Sequence, residues 1–155
     1  MVYGGLALGL LALLSFGGLA VAAYLSQSPP GAEQIGLADG ELRPCESASN
    51  CVCSEGGGPL GAGVEPFAFE GTSEEAHTKL IALLDATERV EIVVAEPLYV
   101  HAVFRSKLFR FADDVEFRID EDAGVVHVRS ASRVGRSDLG ANAERVAELR
   151  ARWNG

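Results

Sequence analysis

The sequence carries no charge at its start and lacks the short motifs that mark the common enzyme classes. No Asp, Glu, Lys, Arg or His occurs among the first 32 of its 155 residues. The chain has no GxSxG nucleophile elbow, no HExxH zinc motif and no glycine-rich phosphate loop followed by Lys. Its acidic groups also lack the spacing of an EF-hand calcium loop. We therefore predict no catalytic residues, no metal site and no cofactor.

Basic residues are too few and too scattered to form a surface for a polyanion. The chain has 13 Lys or Arg against 22 Asp or Glu, a net charge of −9. Residues 33–96 hold 13 acidic and three basic side chains, whereas residues 97–155 hold nine acidic and ten basic ones, interleaved along the chain. Electrostatic repulsion argues against nucleic acid as a partner, and against docking of the acidic half on anionic lipid.

The longest apolar run covers residues 2–25 and is interrupted only by Ser15. At about 1.5 Å per residue, a helix of this length spans roughly 36 Å, enough for a hydrocarbon core of about 30 Å. The alternative is a cleaved signal peptide, which begins with basic residues and has a shorter apolar core. Because no base precedes the run and Leu25-Ser26-Gln27 is a poor cleavage site, the sequence favours an uncleaved, single-pass transmembrane helix.

The residues after this anchor indicate on which side of the membrane the rest of the chain lies. Three acidic residues precede the first base, Arg43, and this flank favours translocation of the C-terminal part of the chain. We therefore expect an anchor in the inner or an intracytoplasmic membrane and a domain in the periplasm. Glycines such as Gly5 and Gly9 let another membrane helix approach closely, although glycine is also simply common in membrane helices. If these glycines do pack, the expected partners are other membrane-protein subunits.

Apolar periodicity predicts the elements of the remaining chain. The predicted strands are residues 64–69, 89–95, 98–106, 114–119 and 125–132. A first helix begins at hydroxyl caps followed by acidic residues, and its apolar face comprises Ala76, Leu80, Leu83, Leu84 and Thr87. A second helix begins at Ser137 or Asp138. Its apolar face comprises Leu139, Ala143, Val146, Ala147 and Trp153.

The order of these elements, β-α-β-β-β-β-α, predicts the fold class. Consecutive strands without crossover helices form an antiparallel sheet, so we expect an α+β sandwich with both helices on one face. The chain then divides into an anchor (residues 1–25), a linker with a cysteine loop (26–63) and an extracytoplasmic α+β domain (64–155).

The apolar pattern also predicts how the last two strands pair. If Phe117 and Val128 share the buried face, Glu116 lies opposite Arg129 on the other face. Such a cross-strand charge pair contributes about 0.2–1 kcal/mol. The candidate binding residues around it are Arg105, Arg129, Arg133, Asp113, Asp114, Glu116, Ser132, Asp138 and Asn142. They form either a structural network or a site that binds an anionic group through its arginines.

Two stretches mix aromatic or aliphatic residues with Arg, Asp and Ser more densely than an ordinary surface does. They are FRSKLFRFADDVEF at Phe104–Phe117 and VRSASRVGRSDLGAN at Val128–Asn142. Together they resemble the signature of a bacterial and plastid family, the "domain of unknown function" numbered fourteen ninety-nine, over roughly Leu42 to Arg150. The resemblance implies no reaction. By analogy, its distribution points to photosynthetic or respiratory membranes.

The segment CESASNCVCS resembles the opening motif of the same family. The matching residues are Cys45, Asn50, Cys51, Val52 and Ser54. The family has proline where this chain has Glu46 and Ser49, and serine where it has Cys53.

Three roles are open to these cysteines. A disulfide between Cys45 and Cys51 would stabilise the fold by roughly 2 kcal/mol. A metal site would need a fourth ligand, and a redox-active thiol would need an electropositive setting, whereas Glu46 and Glu55 flank this loop. In an oxidising compartment the disulfide is favoured, which leaves Cys53 unpaired.

Three functions are consistent with these features. The first is a membrane-anchored, non-enzymatic accessory or assembly subunit of a membrane protein complex. The second is a periplasmic module that binds a lipid or a small anion. The third, which has the least support, is an unrecognised hydrolase that uses the Asp and Arg residues.

Overall fold

The computed structural model of the protein describes residues 17–31, 33–47, 49–56 and 63–155. In these ranges, helix α1 covers residues 17–26, α2 covers Ser73–Asp85 and α3 covers Ala141–Trp153. The strands are β1 (Leu37–Ala38), β2 (Glu41–Leu42), β3 (Cys51–Cys53), β4 (Phe67–Ala68), β5 (Val90–Glu96), β6 (Tyr99–Arg105), β7 (Ala112–Asp120) and β8 (Val125–Ser132).

An antiparallel sheet forms the centre of the fold. Its strands lie in the order β3-β8-β7-β6-β5, and β4 also pairs with β8. Strands β1 and β2 form a separate ribbon. From β4 onward, the order of strands and helices is the predicted one. The prediction of an α+β fold with an antiparallel sheet is therefore confirmed.

The register predicted for β7 and β8 is also confirmed. Phe117 pairs with Val128, and Glu116 pairs with Arg129. Because side chains alternate along a strand, this register sends Val115, Phe117 and Val128 to one face, and Glu116 and Arg129 to the other.

Helices α2 and α3 pack on one face of the sheet, here called the helix-covered face. The buried residues that the strands contribute to it include Val100, Ala102, Phe104, Val115, Phe117, Ile119, Val126 and Val128. Phe67 joins the layers, with its ring centroid 6.3 Å from that of Phe117 and 6.0 Å from that of Trp153. Burial of this apolar surface is the main favourable term in folding.

Helix α2 begins and packs as its sequence predicts. Thr72 and Glu75 form a capping box, in which each side chain bonds the backbone N–H of the other residue. Ala76, Leu80 and Leu84 are buried at a spacing of one turn. The predicted apolar face is thus confirmed at these three positions.

Helix α3 differs from its prediction. Its N-cap is Gly140, and Leu139 lies before the helix with a positive φ and 96% of its surface exposed. Ala143 and Ala147 are also exposed, so three of the predicted core positions are wrong. The buried residues are Asn142, Val146, Leu149 and Trp153. This face begins with a polar residue, which a search for apolar periodicity passes over.

The other face of the sheet, here called the polar face, is covered by residues 33–47. Leu42 is buried there, and β2 contacts β7 and β8. Strand β3, which the prediction left inside the cysteine loop, extends the sheet along β8. Three residues are too few for a periodic signal. The charged side chains of the polar face therefore lie between two layers of protein.

Helix α1 contacts the sheet through its last turn. Ala23 and Ser26 are buried, whereas Leu19, Val21, Tyr24 and Leu25 are exposed. Of the predicted transmembrane helix, residues 1–16 lie outside the described residues. In the part of the chain that the structure describes, no helix has the length and hydropathy needed to cross a membrane.

Candidate functional site

The predicted binding residues lie on both faces of the sheet and form two separate clusters. The first, here called the Glu116 cluster, contains Asp114, Glu116, Arg129 and Arg133 on the polar face. The second, here called the Asn142 cluster, contains Asp113, Ser132, Asp138 and Asn142 at the start of α3. Arg105 belongs to neither, because its guanidinium pairs with Glu91 and donates to Gln27.

Glu116 is fully buried and accepts three hydrogen bonds. Its Oε2 accepts from Arg129 at 2.6 Å. Its Oε1 accepts from the backbone N–H of Gly36 at 2.6 Å and from the hydroxyl of Tyr99 at 2.8 Å. Burial raises the pKa of Tyr99, and the neighbouring carboxylate raises it further, so the phenol keeps its proton and remains a donor. Glu116 thereby fastens residues 33–47, here called the covering segment, to the sheet.

Asp114 holds Arg133 in a two-point contact. Both carboxylate oxygens accept from the guanidinium at 2.8 Å, and Oδ1 also lies 2.8 Å from Nε2 of His101. Because Asp114 and His101 are both buried, these bonds replace water for groups that would otherwise be costly to bury.

Arg133 links this carboxylate to helix α1. Its remaining nitrogen, Nη1, donates to the carbonyl oxygens of Ser26 at 3.2 Å and Ser28 at 3.1 Å. The backbone N–H of Ala112 donates to Oγ of Ser26 at 3.0 Å. A cation at the carboxyl end of a helix satisfies carbonyls that have no partner within the helix and complements the helix dipole. The end of α1 is thus fixed to the sheet.

Acid is expected to weaken the fold through Asp114. Burial opposes ionisation, but the hydrogen bonds from Arg133 and His101 outweigh it and hold the pKa of Asp114 below its ordinary value of 3.8. A carboxyl group with a lowered folded pKa contributes stability above its unfolded pKa, and this contribution is lost as the pH falls through the folded value. Urea unfolding of the full chain in mild detergent should therefore show a free energy of unfolding that falls below about pH 4.

The variant Asp114→Asn tests this dependence. Whatever its stability at neutral pH, its free energy of unfolding should fall less steeply below about pH 4 than that of the unaltered protein. This fall below about pH 4 is called the acid limb. Asp138→Asn should flatten it separately. Burial opposes ionisation of Asp138 too, but hydrogen bonds from the backbone N–H groups of Asn142 and Gly140 outweigh it and lower the pKa of this carboxyl. The two changes should add, since the residues belong to separate clusters. An unchanged acid limb in Asp114→Asn would contradict the prediction.

The Asn142 cluster joins helix α3 to the sheet. Oδ1 of Asn142 accepts from Ser130 at 2.6 Å and from Arg145 at 2.5 Å. Its Nδ2 lies within hydrogen-bond distance of the carbonyl of Asn50, of Ser132 and of Asp138. Asn142 is fully buried, and these contacts satisfy a side chain that would otherwise destabilise the core.

Arg145 completes this cluster. Its Nη2 donates to Asp113 at 2.5 Å, and its guanidinium lies 5.2 Å from the ring centroid of Phe104. The prediction that Asp138 caps this helix is partly right: its carboxylate accepts from the backbone N–H of Asn142, although Gly140 is the N-cap.

Several residues of these networks are not among the predicted ones. Tyr99 and His101 lie on β6 opposite Arg118 and Glu116, so strand alternation alone would have added them to the polar face. No local pattern marks Gly36, whose backbone N–H reaches Glu116 across 80 positions of sequence.

A third pairing involves Glu55, which the prediction treated only as a charge beside the cysteines. Its carboxylate binds Arg118 and accepts from the backbone N–H of Leu42 at 2.9 Å. The hydrogen bond with Glu55 is the largest cause that raises the pKa of Arg118 above its ordinary value. Glu55 therefore fastens strand β2 to the polar face.

The predicted disulfide between Cys45 and Cys51 is present, and Cys53 is a free, buried cysteine. Burial raises the pKa of the Cys53 thiol, which lowers the fraction of reactive thiolate. We expect iodoacetamide to label Cys53 only after unfolding, and Cys45 and Cys51 only after reduction. Peptide mapping without reductant checks both. Rapid labelling of Cys53 in the folded protein would contradict the burial of its thiol.

A cavity of about 360 Å³ lies between the covering segment and the sheet. Its lining includes Arg43, Asn50, Asp114, Arg129 and Arg133. The Nε atom of Arg129 is buried and has no hydrogen-bond partner among the described residues. Within the described ranges, no three His, Cys, Asp or Glu side chains are grouped so that they could hold a metal ion.

Comparison with known proteins identifies a family but no reaction. A family model described as "Protein of unknown function (DUF1499)" matches residues 41–152. The matched range contains the predicted binding residues of both clusters and agrees with the resemblance seen in the sequence. No curated protein matches the chain, and no solved structure matches it.

Proposed function

We propose that this chain, which belongs to the family of unknown function DUF1499, is a non-enzymatic accessory or assembly subunit of a membrane protein complex. In this proposal, residues 1–25 form a single-pass anchor in the inner or an intracytoplasmic membrane. The α+β domain lies in the periplasm, next to the other subunits of a photosynthetic or respiratory complex.

The observation that carries the proposal is the joint between α1 and the sheet. The carbonyl of the buried Ser26 accepts from Arg133, whose other nitrogens bind the buried Asp114. The apolar residues that precede this joint are exposed to solvent: Leu19, Val21, Tyr24 and Leu25. Apolar side chains of a helix that the described residues leave uncovered support contact with lipid or with another membrane helix. Tyr24, next to the end of the apolar run, suits a membrane–water interface.

Two glycines of α1 support a partner helix in particular. Apart from neighbouring residues and the helix backbone, a Cβ atom added at Gly17 or Gly18 would meet no atom of the described residues within 4 Å. Packing within the described chain therefore does not require glycine at either position. Small residues let two membrane helices approach closely, which is a reason to have glycine there.

The buried carboxylates of the two clusters are all paired with arginines, which supports a role without catalysis. The carboxylates of Asp113, Asp114 and Glu116 each accept a hydrogen bond from an arginine. A general base needs a group that is free to take a proton from a substrate within hydrogen-bond reach. These carboxylates act instead as ties between elements of the fold.

The disulfide between Cys45 and Cys51 supports the periplasmic side. Disulfides persist in oxidising compartments, of which the bacterial periplasm is one. The acidic residues between the anchor and Arg43 favour the same orientation.

Purification of the full chain from its native membranes in mild detergent, followed by mass spectrometry, tests the proposal. We expect at least one membrane protein to be retained in stoichiometric amount. The double variant Gly17→Leu/Gly18→Leu should lose this partner, because added side chains keep the helices apart. Leu19→Phe, which adds bulk on a different side of α1, should keep it. Absence of any stoichiometric membrane protein from the unaltered chain would overturn the proposal.

A second candidate function, binding of a small anion, is favoured by the Nε of Arg129 beside the cavity, which no group in the described part of the chain pairs. Arg43 and Asn50 would supply further donors there. Titration with inorganic phosphate should then raise the melting temperature of the full chain in detergent, and Arg43→Met should abolish the rise. An equal melting temperature with and without phosphate would reject this candidate.

A further inference from the structure

The end of the sheet that receives α1 differs in chemistry from the opposite end. Strand β6 ends here, β7 begins here and β8 ends here, since the three strands are antiparallel. Residues 86–89, between α2 and β5, lie at this end too. The two loops next to α1 are residues 106–111, between β6 and β7, and residues 133–140, between β8 and α3. We call these loops together the α1 end of the sheet.

Both loops lie directly beside the last turn of α1. The side chain of Gln27 donates to the carbonyl of Arg110 at 2.6 Å. The neighbouring Ala112 donates to Ser26, and Arg133 at the start of the second loop donates to Ser26 and Ser28. If α1 continues into a membrane, both loops therefore lie close to the membrane surface.

Each of these loops exposes a large leucine. Leu108 is 78% exposed and Leu139 is 96% exposed, the highest values among the large hydrophobic side chains of the domain. Leu139 has a positive φ, which is uncommon for a residue with a side chain. Packing within the described chain explains neither leucine, since both point away from its core.

The two loops next to α1 also differ in charge from the turn at the opposite end of the sheet. The loop at residues 106–111 carries Lys107 and Arg110 and no acid. The second loop exposes Arg136, and its one acid, Asp138, accepts from the backbone N–H of Asn142. At the opposite end, the turn between β7 and β8 carries Asp120, Glu121 and Asp122. The acidic turn of residues 120–122 thus lies at the end opposite α1, whereas Glu88, which lies at the α1 end, is paired with Arg89.

We infer that the α1 end of the sheet lies against the lipid headgroups, with Leu108 and Leu139 at the boundary of the acyl chains and Lys107, Arg110 and Arg136 beside lipid phosphates. This inference rests on the proposed function, in which α1 continues the membrane anchor. Exposed apolar side chains flanked by basic ones suit this layer, because the apolar part enters the boundary while the charges stay among the headgroups.

Tryptophan quenching in lipid vesicles tests the inference without any partner protein. The full chain is reconstituted into phosphatidylcholine and phosphatidylglycerol, with and without brominated acyl chains. We compare Leu108→Trp, Leu139→Trp and the control Leu98→Trp, which lies at the opposite end of the sheet and is 44% exposed. The native Trp153 is buried and gives the same baseline in every sample.

We expect Leu108→Trp and Leu139→Trp to lose added emission to brominated lipid, and Leu98→Trp to lose none beyond the baseline. If the chain floats with the vesicles but the three variants are quenched alike, the inference is overturned and the anchor stands. If the chain does not float with the vesicles, the anchor fails and the inference fails with it. If the chain floats with the vesicles but neither Leu108→Trp nor Leu139→Trp is quenched, the α1 end does not contact lipid and the inference is overturned.

The basic residues are tested in the Leu108→Trp protein. Lys107→Glu with Arg110→Glu should reduce the quenching, because the loop is then repelled by phosphatidylglycerol. Glu121→Lys with Asp122→Lys, at the opposite end, should leave it unchanged. Equal quenching in the Lys107→Glu/Arg110→Glu protein would overturn the role of these two residues.

Discussion

Replacement of Arg129 by Met is expected to lower the free energy of unfolding by about 3–5 kcal/mol, because it leaves a buried carboxylate without its cation. Glu116 is fully buried, and its other two donors, Gly36 and Tyr99, are neutral. Two neutral hydrogen bonds do not compensate for removal of a charge from water. Urea unfolding of the full chain in mild detergent measures the loss.

Two further variants make this prediction specific. Glu116→Gln combined with Arg129→Met should cost less than Arg129→Met alone, because the double variant buries no unpaired charge while the amide oxygen still accepts from Gly36 and Tyr99. Arg105→Met is the matched control and should cost less than about 1 kcal/mol, since Arg105 pairs with the exposed Glu91. A double variant as unstable as the single one would contradict the assignment of the cost to an unpaired charge.

Replacement of Asn142 by Leu is expected to lower the free energy of unfolding by about 2–4 kcal/mol, because it removes all the hydrogen bonds of a fully buried amide side chain. The side chain volume changes little, so packing of α3 should not be the main cause. The hydroxyl of Ser130 loses its acceptor and keeps the bond from Arg145, and the carbonyl of Asn50 loses one donor and keeps the backbone N–H of Ser132. The change would therefore loosen both the helix and the segment next to β3.

A double-mutant cycle with Arg145→Met separates this effect from a general loss of helix stability. Arg145 donates to the same amide oxygen, so the two changes should be far from additive. Asn154→Leu, at the exposed end of α3, is the control and should change stability by less than about 0.5 kcal/mol. Additive costs for Asn142→Leu and Arg145→Met would show that the cluster does not act as one network.

The sequence was sufficient to predict those features that a short period encodes. The alternation of Val115, Phe117 and Ile119 with charged residues predicts a strand, its buried face and its register with β8. The same alternation places Glu116 opposite Arg129, and the pair is present at 2.6 Å. A one-residue shift would move every apolar side chain to the wrong face, so few alternatives compete.

Contacts between distant parts of the chain could not be predicted in this way. Arg133 lies 107 positions from Ser26, and Glu116 is reached by the backbone of Gly36. Neither contact leaves a periodic signal, because each depends on how a loop closes over the sheet. The buried face of α3 was missed for a different reason, since Asn142 is polar and its burial depends on partners from other elements.

The division of the candidate residues between two faces also results from alternation, once the strand boundaries are known. Asp113 and Asp114 are neighbours in sequence, and consecutive side chains on a strand point to opposite faces. One therefore binds Arg145 and the other binds Arg133. Proximity in sequence suggested one site, whereas strand geometry makes two.

The rate of hydrogen exchange at the backbone N–H of Ala112 is the most direct test of the central claim, which is that Arg133 and Ser26 fix α1 to the sheet. This N–H donates to Oγ of Ser26. In the full chain in detergent micelles, NMR should find it protected, and Arg133→Gln should speed its exchange by at least about tenfold relative to the amides of Val115 and Phe117. Exchange of the Ala112 amide at the rate of a free peptide in the unaltered protein would contradict the claim.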